Sequence, residues 1–222
     1  MFGCPQAVTF SLAMDNTVDA LIPLSFLEAV RSVDSPDGDL EAEFVAELRT
    51  KRFGLSDTVY AQIKRYGEAV KRNVRPAHDE AVALATLIGR RPDAEAAFRA
   101  AGRYVARETY ARIPVVTRQA IALLPSLLSR PMALAQTRSI AERYWGGTVR
   151  RSGAHLLLEV RDSVTVESAP GSLGCTYYEE SLHEMLRLLG AASGRVDHVR
   201  CAARKEGYCE WRVDWRNIAV AA

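Results

Sequence analysis

Apolar positions recur at helical spacing through the first two thirds of the chain and alternate only in the last third. Val18, Leu21, Ile22, Leu24, Phe26, Leu27 and Val30 give a broad apolar face. They predict a helix over 15–33, capped by Asp15 or Asn16, with Pro23 as a candidate kink. Asp34-Ser35-Pro36-Asp37-Gly38 reads as a turn. Leu40, Phe44, Val45 and Leu48 predict a second helix over about 39–52, broken by Gly54. Ser56 caps a third, running to about Val74, with Val59, Ile63, Tyr66 and Val70 on one face. A fourth covers about 77–89. Arg91-Pro92-Asp93 marks the main boundary, between a helical N-terminal region, 1–92, and residues 93–222.

Asp93 caps a helix to about Tyr110, with Ala96, Ala97, Ala100, Tyr104 and Val105 inward; its small residues predict close helix packing. A helix to Leu124 follows, then breaks at Pro125 and Pro131, then a helix to Trp145 closed by Gly146-Gly147. Strands appear only after this. Leu156, Leu158 and Val160 alternate, then Val164 and Val166. Gly171 and Gly174 lead into a helix over Cys175–Leu189, and strands are predicted near 195–203 and 208–215. In the last strand Cys209, Trp211, Val213 and Trp215 share one face; Glu210, Arg212, Asp214 and Arg216 share the other. Helices followed by a small antiparallel sheet predict an α+β fold.

Three of the four cysteines sit in the last quarter: Cys175, Cys201 and Cys209. Cys201 and Cys209 flank Arg204-Lys205-Glu206-Gly207, which reads as a hairpin turn with a glycine for positive φ. They are symmetric about that turn, so they should oppose each other with Cβ atoms ~4.5–5.5 Å apart, close enough to share a metal ion. Cys175 supplies a third ligand from outside the hairpin and His198 a fourth; a tetrahedral Cys₃His set is a common structural zinc site. His198 lies an odd number of residues from Cys201, so a regular strand would point the two to opposite faces. The site requires a bulge, or a strand beginning after His198. Glu179, Asp197 and His183 are reserve ligands. Two other readings stand beside the metal: free cysteines in an ordinary core, and a Cys201–Cys209 disulfide in an exported protein.

Composition narrows the choice. The 222 residues suit one or two domains. A net charge of +2 gives no overall drive toward nucleic acid or anionic membrane. Met1-Phe2-Gly3-Cys4-Pro5 lacks the pattern of a signal peptide, and no apolar run predicts a membrane span. A cytoplasmic location is expected, where thiols stay reduced and the disulfide loses ground to the metal. Arg49, Lys51, Arg52, Lys64, Arg65, Lys71, Arg72 and Arg75 gather around Gly54-Leu55-Ser56, a faint helix-turn-helix likeness. Solvated helix faces explain them as well, and no aromatic or asparagine pattern marks a base-reading face.

From Ala100 onward the features fall in a familiar order. Ala101-Gly102-Arg103-Tyr104-Val105-Ala106 is followed by Ala111-Arg112-Ile113-Pro114 and Leu123-Leu124-Pro125-Ser126-Leu127-Leu128. Tyr144-Trp145-Gly146-Gly147, Cys175 and the Cys201/Gly207/Cys209 hairpin follow. This order resembles the 4-vinyl reductase domain family, over roughly residues 94–215. That family includes the bacteriochlorophyll-pathway protein it is named after and the sensor domains of phenol-responsive activators. It is distantly related to vesicle-transport-particle subunits and haem-based nitric-oxide sensors. The resemblance implies helices on an antiparallel sheet, a homodimer, and a ligand pocket beside a structural zinc. The family's sensors hold zinc with three cysteines and an acidic residue three positions before the middle one. That pattern falls on Cys175, Cys201 and Cys209, with His198 in the acidic slot. The implied pocket lies between the sheet and the helices of 94–145, with Tyr104, Tyr110, Trp145, Tyr177, Tyr178 and Trp211 as candidate walls. Each of these aromatics also reads as plain core. His155 faces away from Leu156 and Leu158 and reads as a surface residue. Haem is not expected, because the pattern that would surround His183 is missing.

Reduction of a vinyl group requires a hydride donor. The chain has no GxGxxG after a strand, no iron–sulfur run, no flavin signature, no nucleophile elbow and no P-loop. No catalytic residue is assigned. The expected function is a zinc-stabilised domain binding a small hydrophobic, aromatic or tetrapyrrole-like molecule, as sensor or carrier. The alternatives are a dimeric scaffold resembling transport-particle subunits and a DNA-binding regulator acting through the basic helices of 40–75.

Overall fold

Helices come first and a four-stranded antiparallel sheet comes last in the computed structural model, which describes residues 16–34, 57–190 and 195–215. The fold is α+β. The described helices are α1 (Leu21–Asp34), α2 (Asp57–Arg72), α3 (His78–Gly89), α4 (Ala94–Ala111), α5 (Val115–Leu123), α6 (Ser126–Ile140) and α7 (Thr176–Leu188). The strands are β1 (Gly147–Ser152), β2 (His155–Val160), β3 (Val196–Arg200) and β4 (Cys209–Asp214), in the order β1-β2-β4-β3. The predicted helix over 39–52, the Gly54–Ser56 break, Cys4 and Arg216 lie outside the described residues.

The first helix begins later than its apolar pattern predicts. Thr17 bridges to Ala77, Val18 donates to the Pro76 carbonyl, and Asp19 accepts from the Leu21 N–H. Residues 16–20 are therefore a strap, and Asp19 does the capping predicted for Asp15 or Asn16. Pro23 falls in the first turn of α1, where its missing N–H costs nothing. Pro131 does not break the chain either; it sits inside α6. The carbonyl it leaves unpaired belongs to Leu127, an exposed residue of the first turn, where water can bond it. The final turn before Gly146 widens to π geometry over Ala141–Trp145.

On the edge away from β4, β2 pairs with β1, a strand the alternation missed, and Val164 and Val166 lie in turns. Strand β1 is an edge strand with Val149 as its one large apolar residue, so it shows almost no period. A two-residue loop joins the pair, with Gly153 at φ 59°.

Helix α7 lies between α4 and the sheet. The face of α4 that is buried consists of Ala97, Phe98, Ala101, Gly102, Val105, Ala106 and Thr109. Of the five residues predicted inward, Ala97 and Val105 are buried, Ala100 and Tyr104 are half-buried, and Ala96 is exposed. The buried stripe is rotated because α4 meets α1 on one side and α7 on the other. Phe26 of α1 meets Phe98 edge-on at 6.2 Å and Tyr177 at 5.2 Å. Small residues allow the tight approach predicted for α4. A β-carbon on Gly102 would stand 2.5 Å from the Tyr177 carbonyl oxygen and 3.0 Å from Glu180 Cβ.

Charged pairs close the edge of this contact. Arg99 binds Glu179 and Glu180, Arg103 binds Glu180, and Arg107 binds Glu184. Glu184 is buried, and its hydrogen bonds from Arg187 and then Arg107 hold its carboxyl down at about 2.

Gly102→Ala should destabilise the fold by ~1–3 kcal/mol, the usual cost of overpacking. Gly67→Ala in α2, where a new methyl meets nothing within 4 Å, should instead stabilise by ~0.5–1 kcal/mol. Urea midpoints of the two variants measure both. Glu184 stabilises the fold fully above its ordinary pKa of 4.5, and that stabilisation drains away as pH falls toward about 2. Glu184→Gln should be less stable than wild type at pH 6 and converge with it by pH ~2; a constant gap across that range would contradict the assignment.

Candidate metal centre

The C-terminal hairpin brings the cysteines together. Strand β4 starts at Cys209, and its buried face is Cys209, Trp211, Val213 and Trp215, as alternation predicts. Glu210, on the other face, is also buried, held by Arg150 at 2.8 Å. Cys201 directly follows β3, and its carbonyl accepts from the N–H groups of Arg204 and Glu206. Its own N–H donates to the Glu206 carboxylate at 2.6 Å. The turn needs two positive φ angles, Lys205 at 63° and Gly207 at 84°. Only the glycine was legible.

The required bulge is present. His198 pairs with Trp211, yet Arg200 pairs with Glu210, so Val199 is the extra residue. The bulge brings His198 to the side of Cys201. The imidazole stacks on Trp211 at 4.9 Å and 13°, which fixes its plane. Its Nε2 is buried and has no hydrogen-bond partner. Cys175 arrives from the 3₁₀ turn Pro170–Cys175, at the N-terminus of α7. Gly174 is needed there, because a β-carbon would collide with the Thr165 carbonyl oxygen.

Four ligand atoms converge. Cys175 Sγ lies 3.8 Å from Cys201 Sγ and 4.0 Å from Cys209 Sγ. The three sulfurs and a His198 nitrogen all lie within 4.8 Å of one another, the only such group among the described residues. Sulfurs bound ~2.3 Å from a tetrahedral ion stand ~3.8 Å apart, which the two Cys175 distances match. The cysteines are free thiols, not disulfides. The reserve ligands are engaged elsewhere or outside the group: Glu179 with Arg99, Asp197 with Arg195 and Arg212.

The surroundings treat the thiols differently. The hydrogen bond from Cys175, then His198 and the Ala202 N–H, pull the Cys209 thiol far below its ordinary value. The same bond and burial push Cys175 far up. A cation would displace the thiol protons, and the N-terminal end of α7 adds positive potential beside Cys175.

The six predicted pocket aromatics separate into two groups. Tyr177, Tyr178 and Trp211 form a ladder with Phe26 and His198. Tyr177–Tyr178 centroids are 4.9 Å apart and Tyr178–Trp211 centroids 5.2 Å. Trp145 is buried beside them, whereas Tyr104 and Tyr110 are half-buried on α4. Trp145 and Tyr178 line a cavity of about 50 Å³ under the 16–20 strap, with Tyr144, Asp19, Ile22 and Arg143. The other four aromatics do not line it. Tyr144 and Asp19 went unpredicted, since nothing in the sequence announces a π turn. His155 lies on the outer sheet face, in a groove with Arg200, Glu210 and Arg212. Arg65 of the basic set is bound to Glu80 at 2.6 Å.

Protein purified without chelator should carry about one divalent metal per chain. Cys201→Ser and Cys209→Ser should each lose it and destabilise the fold by ~4 kcal/mol or more. Elemental analysis beside thermal melts checks this, and a metal-free wild type as stable as the loaded one would refute it. No protein-family model matches the chain, and no curated protein matches it.

Proposed function

We propose that this chain is a zinc-stabilised domain that binds a small hydrophobic or aromatic molecule, as sensor or carrier. The observation that carries the reading is the closed Cys₃His cluster. A thiolate-rich tetrahedral set selects zinc over harder ions. Four protein ligands leave no open position, which is the pattern of a structural site. The ion would staple the start of α7 to the C-terminal hairpin. The order of features shared with 4-vinyl reductase domains supports the same reading.

The ligand half of the proposal is supported by the aromatic ladder and its cavity. Trp145 Nε1 is buried without a partner, beside a floor formed by Tyr178. The π turn that presents Trp145 is a feature common at functional sites. At about 50 Å³ the cavity holds a guest no larger than a water or two. A ligand therefore enters by lifting the 16–20 strap, which is held by a few main-chain bonds and by Arg75 to Thr17. A second reading, a dimeric scaffold, is favoured by the closure of Tyr177, Tyr178 and Trp211 in the core.

Phenol and protoporphyrin IX are suitable probes. The fitting probe should raise stability by ~2.7 kcal/mol at a hundredfold excess over its Kd and quench tryptophan emission. No shift with either probe, together with a stable dimer in sedimentation, would replace the binding reading with the scaffold.

A further inference from the structure

One helical hairpin carries apolar surface that folding leaves uncovered. Val115, Val116, Leu123, Leu124, Leu127 and Leu128 are exposed, Val116 at 76%, Leu123 at 83% and Leu127 at 86%. They occupy α5, the α5–α6 joint and the first turn of α6. Helix α5 buries only Ile121 and packs chiefly on α6. Adjoining exposed aliphatic residues in such number mark a binding surface.

Charge identifies the partner. The chain nearly balances its 29 basic and 27 acidic residues, yet from Thr109 to Ala141 it has no acid at all. The same stretch holds Arg112, Arg118, Arg130 and Arg138. Arg112 and Arg118 lie over the rings of Tyr144 and Tyr110, and Arg138 donates to the Val149 carbonyl. None of these three contacts neutralises charge. We propose that the α5–α6 hairpin docks on an anionic lipid surface, its leucines and valines entering the acyl boundary while its arginines meet lipid phosphates. A second copy of the chain is a poorer occupant, because symmetric pairing would set arginines against arginines with no carboxylate between them. No described helix is long and apolar enough to cross a membrane, so the contact is with the surface. The inference is independent of the metal centre and of any ligand beside it.

Co-sedimentation of the full chain with phosphatidylcholine vesicles, with and without about 30% phosphatidylglycerol, tests it. The chain should bind the anionic vesicles about tenfold more tightly than the neutral ones, and less as salt rises. Leu123→Ser/Leu127→Ser should cut binding about tenfold while its melting temperature stays that of wild type, both side chains being exposed. Arg112→Gln/Arg118→Gln should weaken binding to anionic vesicles alone. Equal binding to both vesicle types, no binding to either, or a leucine variant that binds like wild type overturns the proposal. In the non-binding case, a dimer dissolved by Leu123→Ser/Leu127→Ser would assign the patch to a second copy. A monomer would assign it to another protein or to a segment of this chain.

Discussion

The position of α7 sets nearly everything else. On one side it meets α4 where Gly102 lets the Tyr177 carbonyl come closer than any side chain would allow. On the other, Tyr178 packs against Trp211 of β4. At its N-terminus Cys175 reaches the two hairpin sulfurs. Metal–ligand distances tolerate only ~0.2 Å, so the packing of α7 on α4, on the side away from the hairpin, bears on whether the third thiol is in place. The ion pairs from Arg99, Arg103 and Arg107 hold the same contact from its rim.

The aromatic ladder gives the proposed binding role a physical route. Tyr178 lines the cavity, packs on Trp211, and Trp211 stacks on His198. A guest that displaces Tyr178 therefore presses on the plane of the imidazole two rings away. Cores that pack densely transmit such shifts rather than absorb them. A metal ion holding His198 would resist the movement and keep the ladder in register.

Much of this was legible because period and burial agree. The faces of α2 and β4, the small-residue approach of α4, and the need for a bulge beside His198 follow from spacing alone. The misses have physical causes. Strand β1 carries too little apolar residue to show a period. Pro131 is tolerated because its unpaired carbonyl belongs to an exposed residue. The start of α1 is set by a tertiary bridge, Thr17 to Ala77, that local propensity does not report. The cavity depends on a π turn, which differs from an α-turn by one inserted residue and has no composition of its own.

The metal and core readings of the cysteines predict different backbones. Three buried thiols that serve only as small hydrophobes require nothing of the chain around them. Here the chain takes on several costs at once: a bulge at Val199, a left-handed lysine at Lys205, and a glycine at 174 where no β-carbon fits. His198 is left with a buried, unpartnered nitrogen, which costs free energy in an apolar setting. The bulge turns His198 to the side of Cys201, and Gly174 lets Cys175 reach the hairpin sulfurs. Converging costs of this kind are explained by an interaction strong enough to offset them, and four ligand atoms within 4.8 Å of one another can supply one by holding a metal ion.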